Sequence, residues 1–516
     1  MHATQRTLIG VVGLALAVSL AACGDDDNFL SNTATPTPRA TPTPVVPTPQ
    51  EPTRTPLAVV DLCATAPHDQ LCSFIPHTVI ETIGGTGYSQ LSPMQQMPFD
   101  VFSWQTFVAL NWPAMPDGTP LDAPINSHPD APRVWNSYAD VFEVFNVESP
   151  TGLKGSPDEC AALGAEGLPI LQLIAKSNIL PAMQGSILQA TEQPLIDRNL
   201  NFVLYDIRMN PVEVAYVTGN GLNTLAGQQA FMAAGKTVSF PLGSYTNNAT
   251  QSGGMVSSTE LKFAWRILDS SKGDQLGRFY TMDALVFVPA ATSSSGQAFC
   301  FRATLGLVGL HIIQRTDGPT NGSTNFGQDW VWSTFEHVDN APLAATPGDP
   351  TSTSPVPTPC VPPAGTGNYS FYNPACTSPN CTPNMPPTPT TGQGYIWNTS
   401  PPYASQYAID GQYGTQVVRC WDVYDETEAV NQVFQKALAG TVWANYRLIN
   451  SQWQGGIEDP KTENGNIPRF LSNTTLETYI QNDASCLDCH QYATTATGQS
   501  ANFSFLLQLP LLMASH

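Results

Sequence analysis

A five-residue stretch near the C-terminus, Cys486-Leu487-Asp488-Cys489-His490, constrains this chain more than any other. Two thiols separated by two residues and followed by His form the attachment signal of a covalent c-type haem. The thiols bond the porphyrin and the imidazole binds the iron as proximal ligand. A redox dithiol is one alternative, but it does not need the His. Half of a zinc site is another, but no second ligand pair lies at short spacing. We therefore predict one haem c, held by Cys486, Cys489 and His490.

The position of this motif also limits the fold. Only 26 residues follow His490, and Met513 is the sole Met among them. A small cytochrome domain cannot be built from so short a remnant. We therefore expect a haem-binding segment over residues 474–516, embedded in a larger fold that supplies the distal side of the haem from earlier residues.

The N-terminus has the pattern of an export signal. An apolar run over residues 8–20 ends in Leu-Ala-Ala-Cys-Gly. The run is shorter than the length that a transmembrane helix usually needs. This pattern is similar to a bacterial lipobox, which predicts a signal peptide over residues 1–22 and lipid attachment at Cys23. The alternative is an ordinary signal peptide with a stray Cys. Because Gly24 rather than an acid follows Cys23, the outer membrane is the better guess than the inner membrane.

A Thr-Pro-rich tether follows the predicted lipid and extends to residue 57. Such a composition favours extended polyproline II and cannot bury a core, so it should act as a semi-rigid spacer. The lipid-anchored chain would then lie in the cell envelope of a bacterium, with its folded part in the periplasm or at the cell surface.

Residues 58–516 have the composition of a globular domain, with 41% apolar and only 12% charged residues over the whole chain. The formal net charge of −21 argues against nucleic acid and anionic lipid as partners. It favours a cationic partner, which for a haem protein would be a redox protein with a basic docking surface.

The middle of the chain alternates apolar and polar residues with a period of two. Residues 260–267 predict a half-buried strand, and residues 279–288, 301–313 and 330–338 predict further strands. The fold class expected is α+β, with a predominantly antiparallel β-sheet core, several peripheral helices and the haem site in the C-terminal part.

Helical periodicity surrounds these strands. Asp100 is a candidate N-cap for a helix over residues 101–110, and Thr427 for a helix over residues 428–438. The pair Thr474 and Glu477 has the spacing of a capping box for a short helix before the haem motif.

Residues 340–405 interrupt the pattern because they are rich in Pro, Thr, Gly and Cys. We interpret them as a surface insertion fastened by disulfides. Outside the lipobox and the haem motif, eight cysteines remain, an even number that indicates disulfides in an exported protein. Cys63 with Cys72 and Cys376 with Cys381 are the local pairs to consider, among 105 possible connectivities. Free buried cysteines are the alternative.

Several segments resemble a family of large, exported, single-haem cytochrome c proteins, most of them uncharacterised. They are SWQTFVALNWPA, LVGLHIIQ, WVWSTFEHVDN, TVWANYRLI and the stretch TTLETYIQ…SCLDCH…ANFSFLL. The C-terminal part also resembles the lysine-cross-linked haem cytochromes and cytochrome c′-beta, which are β-sheet proteins with the haem motif near the C-terminus. That weaker likeness implies a haem-crosslinking Lys, for which Lys262 is the candidate, whereas the plain interpretation of Lys262 is a solvated strand residue.

The distal side of the haem should come from the predicted strands. His311 follows an apolar run and should be buried, and Gly306 and Gly309 just before it would let a flat macrocycle approach. Arg302 and Arg315 could then pair with the haem propionates. The alternative is that His311 hydrogen-bonds a carbonyl inside the sheet.

Glu336 and His337, adjacent and facing opposite ways, are the next candidates for a distal or acid–base role.

Two function classes remain after these observations. One is an electron carrier whose protein ligands hold both axial positions of the iron. The other is a haem enzyme with an open position for a small ligand such as a peroxide or a nitrogen oxide. A sensor or scaffold with a structural haem is a third, weaker possibility. The base rate of the motif favours the carrier, and the size of the fold favours the enzyme.

The lipobox generates a test of membrane attachment. Replacing Cys23 with Ala removes the only acylation site of the pattern, so the protein should leave the membrane fraction or remain unprocessed. Fractionation and an immunoblot of the processed and unprocessed forms measure this. A mature variant that still requires detergent would show that another element anchors the chain.

Overall fold

The computed structural model describes residues 71–79, 82–83, 86–87, 96–145, 158–164, 167–172, 193–246, 253–316, 330–350, 359–391, 394–453, 471–482 and 484–510. The predicted signal peptide, Cys23, the tether and Cys63 lie outside these residues. Within the described part, no helix combines the length and apolar character needed to span a bilayer.

The strands of the described residues are β1 (Thr82–Ile83), β2 (Thr86–Gly87), β3 (Ala139–Asp140), β4 (Ile170–Gln172), β5 (Leu204–Met209), β6 (Thr259–Ile267), β7 (Thr281–Val288), β8 (Phe299–Arg315), β9 (Trp330–His337), β10 (Leu343–Gly348), β11 (Arg419–Trp421) and β12 (Tyr446–Trp453). The helices are α1 (Gln96–Leu110), α2 (Val141–Val144), α3 (Asp158–Ala161), α4 (Pro211–Gly219), α5 (Leu225–Ala233), α6 (Asp425–Ala437) and α7 (Cys486–His490). Short 3-10 turns connect several of them.

One eight-stranded sheet dominates the fold. Its strands follow the order β12-β9-β8-β6-β5-β3, while β7 pairs with β8 and β4 pairs with β7. All of these pairs are antiparallel except β4 with β7. The prediction of a mainly antiparallel, sheet-dominated α+β fold is therefore confirmed.

The two faces of this sheet are both covered. On one face, Ser103 and Thr106 of α1 bond to Ser333 (2.6 Å) and Gln314 (3.1 Å). On the other face, Asn473 donates to Thr334 Oγ1 at 3.0 Å. Because side chains alternate between the faces of a strand, double coverage buries nearly every residue of β6 and β9. The expectation of a half-buried strand at residues 260–267 is wrong for this reason.

The two predicted helix caps have another role. Helix α1 begins at Gln96, before Asp100, and α6 begins at Asp425, before Thr427. The Thr427 hydroxyl instead donates to Asp100 Oδ2 at 2.6 Å, so the two residues join α1 to α6 inside the core. Burial raises the pKa of Asp100 to about 7, although its hydrogen bonds oppose the shift. Asp100 and Thr427 therefore form a buried hydrogen bond between two helices and do not cap either helix.

The segment at residues 340–405 is more than a surface insertion, which corrects the expectation. Phe371 and Trp397 are completely buried, and β10 in this segment pairs with β11. Disulfides join Cys160 to Cys300, Cys360 to Cys420 and Cys376 to Cys381. Cys376–Cys381 is therefore one of the two local pairs that the spacing left open. Cys72 is also disulfide-bonded.

Candidate haem-attachment site

The motif Cys486-Leu487-Asp488-Cys489-His490 forms the single helical turn α7. Residues three apart on a helix lie on one side, so this local geometry brings Cys486 and Cys489 to the same side of the turn. The turn is fastened to the sheet by Cys486 N, which donates to Gln452 Oε1 of β12 at 2.9 Å. Leu487 is buried in an apolar cluster with Trp330 and Trp332 of β9. The motif therefore lies against the sheet and not in a separate domain.

His490 has the hydrogen-bond arrangement of a metal-ligating imidazole. Its Nδ1 lies 2.8 Å from the carbonyl oxygen of Phe503. A carbonyl only accepts, so Nδ1 carries the hydrogen and the lone pair of the neutral ring is on Nε2. Protein ligands of metals usually donate their second ring N–H in this way. The residue is therefore prepared to ligate through Nε2.

The surroundings of His490 favour the neutral ring. Desolvation by burial lowers the pKa of His490 to about 4, while its hydrogen bond to Phe503 opposes the shift. The ring packs against Phe505 at 5.2 Å and Trp332 at 5.7 Å between ring centroids. At neutral pH the imidazole is unprotonated and free of a competing proton on Nε2.

The two cysteines of the motif differ. Cys486 is a free thiol, and burial raises its pKa above the usual value. Cys489 is disulfide-bonded. A thioether to haem and a disulfide use the same sulfur, so Cys489 must be reduced before attachment. The donor set thus fits a haem c at His490 and Cys486, and at Cys489 only in its thiol form.

A polar row on the sheet lies close to the motif. Lys262 of β6, His311 of β8 and Thr334 of β9 are cross-strand partners and share one face. His311 Nε2 lies 3.3 Å from Glu477 Oε2. Burial opposes ionisation of Glu477, but the charge and hydrogen bond of His311 hold its pKa below the ordinary value. His311 and Lys262 also lie near enough to His490 to lower its pKa further. The sheet therefore presents an acid–imidazole pair toward the motif.

The glycines before His311 do not face open space. A Cβ at Gly309 would clash with Thr475 Oγ1, and one at Gly306 would overlap Leu268. The absence of a side chain at Gly309 leaves room for the C-terminal segment, and at Gly306 for the side chain of Leu268. The expectation that these glycines make room for the macrocycle is therefore wrong.

The arginines at the two ends of the strand already have partners. Arg302 pairs with the Asp283 carboxylate, and Arg315 donates to the carbonyl of Phe240. Neither contact involves the motif.

Glu336 is fully buried and joins the sheet to the segment before the motif. It pairs with Arg419 and with Arg447, at 3.3 Å from the latter. It also accepts from the backbone N–H of Thr474 at 3.0 Å and from its hydroxyl at 2.6 Å. Burial alone would raise the pKa of Glu336, but the two arginines and Thr474 hold it below the ordinary value. These contacts describe a carboxylate that positions the C-terminal segment.

His337 faces the opposite side of β9 and is completely buried. Its Nδ1 accepts from the N–H of Asp339 at 3.1 Å, and its Nε2 lies 3.0 Å from the carbonyl of Arg278. The ring stacks on Phe279 with 4.0 Å between centroids. Desolvation lowers the pKa of His337 to about 4. Both ring nitrogens of His337 have backbone hydrogen-bond partners, which is typical of a structural core histidine.

Two features of this region have no clear signal in the sequence. The spacing of Thr474 and Glu477 predicts a capping box, whereas the Glu477 carboxylate accepts from Asn473 N–H (2.9 Å) and contacts His311. Glu213 and Glu260 form a buried carboxyl pair, and desolvation raises the pKa of both. Glu260 bonds to Ser504 in the segment that follows the motif. The nearest sequence signal to Glu213 is the dipeptide Asn210-Pro211 at the start of α4. It indicates the beginning of a helix and not a buried carboxyl pair.

No protein-family model matches the chain, and no match was found among the curated proteins or the solved structures.

The role of Glu336 can be tested by Glu336→Gln. Removing the charge leaves Arg419 buried without its main partner, so unfolding free energy should fall by about 3–5 kcal/mol at neutral pH. Because the folded pKa is lowered, this stabilisation exists above the unfolded pKa of about 4.3 and disappears as pH falls through the folded pKa. The difference between wild type and variant should therefore shrink in acid. Chemical denaturation at several pH values measures it.

Glu159→Gln is the matched control, because Glu159 is an exposed carboxyl on α3. It should change stability by less than about 0.5 kcal/mol. If Glu336→Gln were equally mild at neutral pH, the ion cluster would not hold the C-terminal segment.

Proposed function

We propose that this protein is an exported, lipid-anchored c-type cytochrome with one covalent haem, and that it takes part in electron transfer. The observation that carries the proposal is the hydrogen bond from His490 Nδ1 to the Phe503 carbonyl within a C-x-x-C-H motif. The motif supplies the covalent attachment signal, and the hydrogen bond leaves Nε2 as the ligating nitrogen. The resemblance to large exported single-haem cytochromes c is part of the same proposal.

The residues that would hold the haem are Cys486 and Cys489, through thioethers, and His490, through Nε2. When bound, the haem supplies an iron that accepts and releases one electron. The carbonyl of Phe503 keeps the hydrogen on Nδ1 and fixes the orientation of the ring. Trp332 and Phe505 shield the imidazole from water, which is one of the ways in which a protein sets a redox potential.

The remaining parts of the proposal concern location and partner. A lipid on Cys23 and the Thr-Pro tether would hold the folded part at a bacterial envelope membrane, with the outer membrane preferred. The three disulfide pairs of the described residues are compatible with an oxidising compartment. The net charge of −21 favours a redox partner with a basic docking surface.

Covalent attachment is tested by the double variant Cys486→Ala, Cys489→Ala. Wild type denatured in acid should retain the haem on the polypeptide, and the double variant should retain none, because no thiol remains to bond the porphyrin. Mass spectrometry of the intact denatured chain measures the added mass. Cys376→Ala with Cys381→Ala removes another closely spaced pair and should leave the haem in place. Wild-type protein with a Cys489 disulfide and no haem would refute the proposal.

A haem enzyme with an open distal position is the second candidate. The contact between His311 and Glu477 favours it, because an imidazole next to a carboxylate is the usual arrangement of a general acid–base group. Lys262, the cross-strand partner of His311, adds a cationic group on the same face. Such a group could move protons to and from a small ligand such as a peroxide or a nitrogen oxide.

The variant His311→Ala distinguishes the two candidates. If His311 ligates the iron in a carrier, optical and paramagnetic resonance spectra should change from six-coordinate low-spin to high-spin. If His311 is an acid–base group, the iron should be high-spin already, and the variant should react with peroxide about 10²–10⁴-fold more slowly. His128→Ala changes an exposed loop histidine and should alter neither property. Unchanged spectra and rates in His311→Ala would contradict both roles of this residue.

A further inference from the structure

Arg133 is a buried arginine on the face of the sheet that α1 covers. It directly precedes the 3-10 turn Val134–Ser137, and only 5% of its surface is exposed. Its guanidinium lies over the rings of Tyr280 and Trp443, with 5.4 Å and 5.9 Å to the ring centroids. Its Nη2 donates a long hydrogen bond of 3.4 Å to the carbonyl of Pro129. Its Nε and Nη1 lack a well-aligned acceptor, and the guanidinium also contacts the neutral hydroxyl of Tyr280.

This guanidinium has no counter-ion among the residues that the structure describes. The neighbouring carboxylate, Asp206, pairs with Arg208 at 2.8 Å. Tyr280 remains neutral, because burial raises its pKa and the opposing effect of Arg133 and Arg208 is smaller. An arginine cannot lose its proton to escape this burial. An uncompensated charge in a protein interior is costly, so the geometry calls for an anion at this place.

Two further donors lie in the same cluster of rings. The indole N–H groups of Trp135 and Trp265 are both buried and have no acceptor. The ring centroids of Trp135 and Trp265 are 6.0 Å apart, and each lies 6.3 Å from that of Tyr280. Buried polar groups without a partner are rare in folded proteins. These two indoles and Arg133 all contact the ring cluster around Tyr280, so the cluster contains three groups with unpaired donors.

The cluster is separate from the haem motif. Trp265 of β6 lies in the apolar cluster with α1, whereas Lys262 lies on the face that meets the motif. The sheet therefore stands between Arg133 and His490, and a haem propionate attached on the motif side is not the missing anion. Water could satisfy an indole N–H, but it could not neutralise the guanidinium.

We propose that Arg133, with the indole N–H groups of Trp135 and Trp265, forms a binding site for a small organic carboxylate. The carboxylate oxygens accept from the guanidinium and the indoles, as in the charge-assisted pairs that arginine commonly makes. The surrounding rings of Tyr280 and Trp443 favour a ligand with an aromatic or apolar body. This site is independent of whether the chain binds haem.

The test is calorimetric titration of the full purified protein with benzoate and with benzamide, its neutral counterpart. Benzoate should bind with a dissociation constant in the millimolar range or below, and benzamide should not bind measurably, because it lacks the charge. Arg133→Met should weaken benzoate binding by at least about a hundredfold, and Trp265→Phe by about tenfold. Arg302→Met, which removes the same charge from an exposed strand position, should leave binding unchanged.

The stability of the unliganded variants supplies an independent readout. Arg133→Met should unfold at the same denaturant concentration as wild type or a higher one, since it removes a buried charge without a partner. A large loss of stability would mean that Arg133 has a structural partner, which would overturn the proposal. Absence of benzoate binding to wild type, or equal binding of benzoate and benzamide, would also overturn it.

Discussion

The structure depends on one central strand, β8, whose two faces are both covered. Helix α1 packs on one face, and the C-terminal segment that carries the Cys-x-x-Cys-His motif packs on the other, where Glu477 contacts His311. Where both faces of β8 are covered, over residues 305–315, a polar side chain on it or its neighbours must find a partner inside the protein. The ion cluster of Glu336 and the contact of His311 with Glu477 supply such partners.

The same sheet separates two electrostatic environments. On the motif side, basic residues such as Lys262 and His311 lie near a neutral imidazole, His490. On the α1 side, Arg133 lies among aromatic rings without a described counter-ion. Both environments contain basic side chains inside a chain with a formal charge of −21. A general surplus of acidic residues therefore does not explain either environment, since the local arrangement of the strands decides which charges meet.

The strands and the helix at residues 101–110 could be predicted because their periodicity is local and strong. The helix starts could not, and Asp100 and Thr427 show why. Short polar residues before an apolar run have the pattern of N-caps, but here the two bond to each other across α1 and α6, 327 residues apart in the chain. Gly309 is a second example of a local pattern whose contact partner is set by a distant segment. The sequence indicated a close approach at this glycine, but only the packing of the C-terminal segment showed that Thr475 makes it.

The sequence alone determined the features that depend on neighbouring residues. The spacing of Cys486, Cys489 and His490 requires only a helical turn, and α7 is such a turn. The tertiary structure decided the state of each group, because pairing and desolvation arise between distant segments. Phe503 selects the ring nitrogen of His490 that carries the hydrogen, and Glu477 lies next to His311 although 166 positions separate them. No periodicity or spacing records such contacts, since they exist only after the sheet has formed and both of its faces are covered.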